Sequence, residues 1–133
     1  MMKIGEFAEC TGISKDTIRY YEKIGLLQPV LKNKHREYQN HDIILVETII
    51  KLKQTGFSLQ EIKMLVEWSN NADQNKELTQ EEVKNVLQIK ELFQNKYEQM
   101  VQRENSIQQI KQVLLKADYK IEHLLERNKG EGY

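Results

Sequence analysis

Apolar residues return at every seventh position along the C-terminal half of the chain: Val86, Phe93, Met100, Ile107, Leu114 and Ile121. Neither proline nor glycine interrupts the stretch from Thr79 to Arg127. A repeat sustained this long predicts one helix with a coiled-coil stripe over residues 79–127. The companion seam reads as Val83 and Tyr97, then Ile110, Ala117 and Leu124, with Lys90, Glu104 and Lys111 interrupting it. At ~1.5 Å per residue such a helix is roughly 70 Å long. A compact chain of this size has a radius of gyration of only ~14 Å. The stripe is therefore too long for the N-terminal half to cover, and a second copy is its simplest cover. The alternative is a hairpin folded back at Glu104-Asn105-Ser106, which are tolerable turn formers.

Three helix starts share one grammar. Ser14 is an N-cap flanked by Ile13 and Ile18; Ser58 with Glu61 forms a capping box flanked by Phe57 and Ile62. Thr79 with Glu82 forms another, flanked by Leu78 and Val83. Two further helices are expected, about Ile4 to Cys10 and about His41 to Thr55, the latter stopped by Gly56. Between Gly25 and Tyr38 helical periodicity fails. Pro29 breaks it, Val30-Leu31 and Arg36-Glu37-Tyr38 suit short strands, and Lys32 to His35 suit the turn.

The first two helices fit a helix-turn-helix. A small residue in helix one, a glycine at the turn and an apolar residue in helix two are needed; Ala8, Gly12 and Ile18 supply them. Ile4, Phe7 and Ile13 complete the inner face. With Ile18 inward, Lys15, Arg19 and Tyr20 fall on exposed or flanking positions. Arginine reads guanine O6/N7 or grips phosphate, and tyrosine hydroxyls donate to phosphate. The same spacing also occurs in helical cores that never touch DNA.

Composition narrows the class. The chain has 133 residues, 39% hydrophobic and 30% charged, with one proline and six glycines, which favours helices over a β-sandwich. Twenty Lys and Arg balance twenty Asp and Glu, which excludes a histone-like protein. The balance hides an asymmetry. Residues 1–63 hold ten basic residues against eight acidic ones, and residues 64–133 hold ten against twelve. Lys23, Lys32, Lys34 and Arg36 share a stretch with no acid, a candidate anion-facing surface. The longest aliphatic run is Ile43 to Val46, so no membrane span is expected, and the N-terminus lacks a signal-peptide core. A cytoplasmic protein is expected. A single cysteine excludes an internal disulfide or a one-chain thiolate zinc site. No nucleophile–base pair, ligand cluster or glycine-rich phosphate loop points to an enzyme.

The strings Ile4-Gly5-Glu6-Phe7-Ala8, Thr11-Gly12-Ile13-Ser14 and Thr17-Ile18-Arg19-Tyr20-Tyr21-Glu22-Lys23-Ile24-Gly25-Leu26-Leu27 carry a resemblance. Arg36-Glu37-Tyr38 and Gly56-Phe57-Ser58-Leu59-Gln60-Glu61-Ile62 extend it. Over about residues 3–66 the chain resembles the mercury-resistance-regulator (MerR) family of transcription factors, in its short-C-terminus subgroup. The long helix fits that family by position and period, not by motif. The resemblance implies a mostly α fold: a winged helix-turn-helix DNA-binding domain, then a long dimerisation helix in an antiparallel coiled coil. It implies homodimers on pseudo-palindromic promoters, DNA distortion that realigns an over-long −35/−10 spacer, and RNA polymerase as a partner at the promoter. By position, Arg19 and Tyr21 match recognition-helix contacts, Arg36 the wing arginine, and Lys53 a basic contact. The candidate DNA-contacting set is Lys15, Thr17, Arg19, Tyr20, Tyr21, Lys34, His35, Arg36, Tyr38 and Lys53. The heptad residues Val86 to Ile121 form the dimerisation set.

Two departures stand out. The family's wing carries Asn-Gly-Tyr before its arginine; here it is Asn33-Lys34-His35, and the segment from Pro29 to Asn33 looks shortened. Lys34 lacks glycine's backbone freedom, so the turn is expected to differ. The domain scheme is 1–70 for the DNA-binding head, 71–78 for a connector, 79–127 for the dimerisation helix and 128–133 for a flexible tail. No separate drug-binding domain is expected after the long helix, and neither cofactor nor metal is expected. Cys10 reads as a small, partly buried residue rather than a sensor. Trp68, Phe93, Tyr97 and Met100 are a candidate effector pocket, against the plainer reading of hinge core and seam. The competing function is a helix-turn-helix protein-interaction module resembling chaperone modulators, which has no need of a basic wing.

Overall fold

The computed structural model describes residues 1–71 and 75–129. Helix α1 (Ile4–Thr11) ends at Gly12, which turns left-handed at φ 76° and donates its N–H to the Ala8 carbonyl. That conformation is cheap only without a Cβ. Helix α2 (Lys15–Lys23) follows after two residues, with Ser14 as its cap accepting the Thr17 N–H at 3.1 Å. Strands β1 (Val30–Lys32) and β2 (His35–Glu37) pair antiparallel, with Leu31 opposite Arg36 and Lys32 opposite His35. Helices α3 (Asn40–Gln54), α4 (Leu59–Asn71) and α5 (Gln80–Asn128) complete a mostly α chain with a small two-stranded wing and a long C-terminal helix.

Capping boxes account for three of the helix starts. Ser58 and Glu61 exchange bonds of 2.9 and 3.1 Å ahead of α4, and Thr79 and Glu82 exchange 3.3 and 3.2 Å ahead of α5. The Lys76 ammonium, 3.0 Å away, and the Thr79 bonds hold the Glu82 carboxyl below its usual range. Helix α3 has a box of its own that the sequence reading did not identify: the Gln39 N–H donates to Asp42 at 2.8 Å, and the Gln39 side chain caps in return. Ser58→Ala is expected to cost about 0.5–2 kcal/mol. Thermal denaturation would read it as a lower midpoint, and an unchanged midpoint would mean the cap contributes nothing.

The core of the N-terminal unit is built where these elements converge. Phe7, Ile18, Leu27, Tyr38, Val46, Ile49 and Ile62 are fully buried, one or more from every helix of that unit. Each such aliphatic side chain contributes ~1.5–3 kcal/mol by leaving water. Ala8 and Ile13 pack against this cluster as partly buried neighbours, as the helix-turn-helix pattern requires. The wing is fastened at its base by Met2, which exchanges backbone hydrogen bonds of 2.8 and 2.7 Å with Tyr38.

The wing turn keeps a two-residue form without glycine. Asn33 and Lys34 both take positive φ, 51° and 66°. This is the double left-handed backbone of type I′ hairpins, which matches strand twist. Lys34 thus carries a conformation usually left to glycine or asparagine, and its side chain is placed at the wing tip.

Contacts divide the chain into two units, Met1–Asn75 and Lys76–Tyr133. Residues 72–74 of the expected connector and 130–133 of the expected tail lie outside the described residues. Helix α5 runs unbroken through Glu104, Asn105 and Ser106, so the hairpin alternative does not occur. Its 49 residues span about 73 Å at the helical rise. Val83 and Tyr97 are exposed, whereas Ile89 and Lys96 are half-buried together with Val86, Phe93 and Met100. Ile89 and Lys96 each follow a heptad residue by three positions, as do Ile110, Ala117 and Leu124. A seam drawn through these positions would keep one phase along the helix, with Lys96 and Arg103 as its polar positions. No helix among the described residues is long and apolar enough to cross a membrane.

Candidate nucleic-acid interface

Helix α2 has two faces. Ile18 and, three residues on, Tyr21 point into the core. Lys15, Arg19 and Tyr20 are exposed. The Arg19 guanidinium sits 3.3 Å from Asp16 one turn earlier, with its side chain about half exposed. Such an exposed pair is weak and easily exchanged for another anion. Thr17 is half-buried and shares a 2.9 Å hydroxyl contact with the Ser14 cap. Lys15 lies across Gly5 of α1.

The wing meets this helix at Glu22. Its carboxylate accepts the Arg36 Nε–H at 3.1 Å through Oε2 and the Tyr38 hydroxyl through Oε1. Glu22 is nearly buried, its side chain 10% exposed, while Arg36 remains 52% exposed. Tyr38 stacks on Phe7 with ring centroids 4.3 Å apart and planes 9° from parallel. Burial, then the bond to Glu22, pushes its phenol well above the usual tyrosine range.

Between α2 and the wing lies an open concavity of about 440 Å³, lined by Lys3, Ile4, Arg19, Leu31, Lys34, His35 and Arg36. Four of these are permanent cations and none is a carboxylate. A concave surface of one sign concentrates potential and attracts an anionic chain. Lys53 lies elsewhere, exposed in the last turn of α3.

The structure thus gathers Arg19, Lys34, His35 and Arg36, and adds Lys3, which sequence reasoning missed. Glu22 was missed as well, although it follows the inward Ile18 by four residues, so the same face carries both. One expected contact is corrected. Tyr38 has no exposed surface and its hydroxyl is committed to Glu22, so it is a core residue beneath the wing. Tyr21 retains 3% of its surface and packs in the same core. A second correction concerns Cys10, expected to be partly buried; it is exposed at the end of α1. Of the candidate effector residues, Trp68 lies on α4 in the first unit. Phe93, Tyr97 and Met100 lie on α5 in the second, with Tyr97 exposed.

A helix-turn-helix whose second helix borders a cationic cleft under a two-stranded wing defines a winged-helix nucleic-acid-binding module. The profile of the MerR HTH regulatory-protein family matches residues 2–68, half of the chain. The chain belongs to that family. It is 41% identical over 80 residues to the HTH-type transcriptional regulator YfmP of Bacillus subtilis, covering 57% of this chain and 56% of that protein. It is 37% identical over 67 residues to heavy metal-dependent transcription regulator 2 of Rhizobium meliloti, covering 49% and 46%. The chain spans about half the length of the curated relatives it matches. Among solved structures it resembles HiNmlR, a MerR family regulator lacking the sensor domain, bound to promoter DNA. That likeness has a TM-score of 0.58 at 25% identity and covers 98% of this chain and 94% of that one.

Proposed function

We propose that this chain is a sequence-specific DNA-binding transcriptional regulator. It binds a pseudo-palindromic promoter operator as a homodimer in the cytoplasm, with RNA polymerase beside it, and distorts the operator. The observation that carries this reading is the cation-lined concavity between the α2 face and the wing. The DNA-bound likeness of HiNmlR supports it. In this arrangement Arg19 and Tyr20 enter the major groove from α2, and Arg36 and Lys34 grip the flanking backbone, with Lys53 and Lys15 as further cationic contacts. Residues 1–70 form the reading head and 79–127 the element that joins two heads.

Footprinting of the purified protein on its own upstream DNA tests binding, symmetry and spacer length together. Arg19→Ala is expected to lose ~1–3 kcal/mol per half-site while the protein stays folded. Unchanged operator binding would take Arg19 out of the interface. Weak, salt-insensitive association with DNA would instead favour a protein-interaction module.

A further inference from the structure

Arg36 is expected to reach phosphate, yet its Nε–H is already committed to a nearly buried carboxylate on the recognition helix. Glu22 is a deeply placed acid beside a cleft whose own lining holds four cations and no carboxylate. An acid so placed survives burial only if its oxygens are paired, and both are: one to the wing, one to Tyr38 at the wing's base. We infer that Glu22 is a positioning residue for DNA recognition, a latch that fixes the wing arginine relative to the reading face of α2.

The geometry supports this in three steps. First, the wing has only two three-residue strands, and its backbone tie to the rest of the unit is the Met2–Tyr38 bridge at its base. Its tip direction therefore depends on side-chain contacts. Second, Glu22 contacts the wing at Arg36 and Tyr38, two residues apart and therefore on one face of the strand line. Third, Arg36 has five N–H donors in a rigid fork, so holding Nε still orients the remainder for a phosphate. Tyr38 is anchored independently by its stack on Phe7, which gives the carboxylate a fixed point to work from.

The inference rests on the DNA-binding reading, and the test separates the two. Glu22→Gln is the informative variant. Its amide oxygen still accepts from Tyr38, but its NH2 then opposes the Arg36 Nε–H, donor against donor. In the free full-length protein, the Arg36 Hε resonance is expected to be shifted downfield and slow to exchange, and to lose both features in Glu22→Gln. Affinity is then measured on a duplex that the wild-type protein selects from a random pool. Glu22→Gln is expected to weaken binding about 5- to 20-fold, the effect of losing one charge-assisted contact. It should leave the salt slope unchanged, because the phosphate contact itself remains. Arg36→Ala is expected to reduce the slope by about two, one phosphate contact on each half-site. In an Arg36→Ala background, adding Glu22→Gln should cost less than twofold, the signature of two residues acting as one unit. A full additional penalty in that background, or a wild-type Arg36 Hε that exchanges freely, overturns the latch. Failure of the wild type to select any duplex overturns the DNA-binding reading instead, and the Hε measurement still decides whether the latch exists.

Discussion

Replacing Ile107 and Leu114 with Asp is expected to convert the protein from dimer to monomer and to remove operator binding. Both side chains are more than half exposed in a single chain, 56% and 62%, and so are Ile110, Ile121 and Leu124 in the same seam. An uninterrupted helix presenting these five residues, with Ala117 among them, at alternating three- and four-residue steps leaves a stripe that water opposes. Burial of each Leu or Ile is worth ~1.5–3 kcal/mol, so the stripe carries enough to hold two copies together. Two aspartates per chain would place four carboxylates in that seam without partners. The reading head shares no core residue with α5, so its fold should survive. Loss of dimerisation alone should cost ~10²–10⁴-fold in operator affinity, because linked half-sites bind at high effective concentration. Sedimentation at micromolar concentration, with circular dichroism to confirm retained helix, reads the outcome. A wild-type protein that sediments as a monomer would contradict the dimer reading at its base.

What the sequence disclosed, and what it hid, follows from the range of the interactions. Ser14, Ser58 and Thr79 announced helix starts because a cap is decided within three residues. The α3 cap went unread because Gln39 is an uncommon N-cap and its partner Asp42 looked like a surface acid. The long helix was legible from period alone. Its companion seam is less legible, because Lys96 is half-buried on the helix where a lysine looks like a solvent face. Tyr21 lies three residues from Ile18, which by itself puts it on the inner face. The spacing places its ring in the core, whereas the positional likeness to a DNA contact concerns its hydroxyl. The links from Glu22 to Arg36 and Tyr38 cross fourteen and sixteen residues and a hairpin whose turn the sequence did not determine. Lys3 entered the cleft for the same reason, carried there by the Met2–Tyr38 pairing.

The second large effect is expected on DNA. Four cations per protomer line the proposed interface, Lys3, Arg19, Lys34 and Arg36, and Lys15 and Lys53 are the further contacts proposed for it. If three or four of them meet phosphate on each half-site, the dimer displaces about six to eight counterions, and log affinity falls with log salt at a slope of about −5 to −7. Between 50 and 200 mM salt that amounts to a loss of ~10³–10⁴ in affinity. The same contacts supply the energy for deformation. Two heads joined by α5 have a separation set by protein, whereas straight DNA offers successive major grooves ~34 Å apart. A mismatch between the two must be absorbed by bending or untwisting the duplex, at ~1–6 kcal/mol. The proposed regulator is therefore expected to bind DNA kinked near the operator centre in its active complex, which would shorten an over-long promoter spacer as polymerase sees it. Circularly permuted fragments should run with position-dependent mobility, and the central base pairs should become reactive to single-strand probes. A slope near zero would remove the phosphate contacts. A steep slope on DNA that stays straight both with and without the inducing signal would leave a plain repressor in place of a spacer-realigning activator.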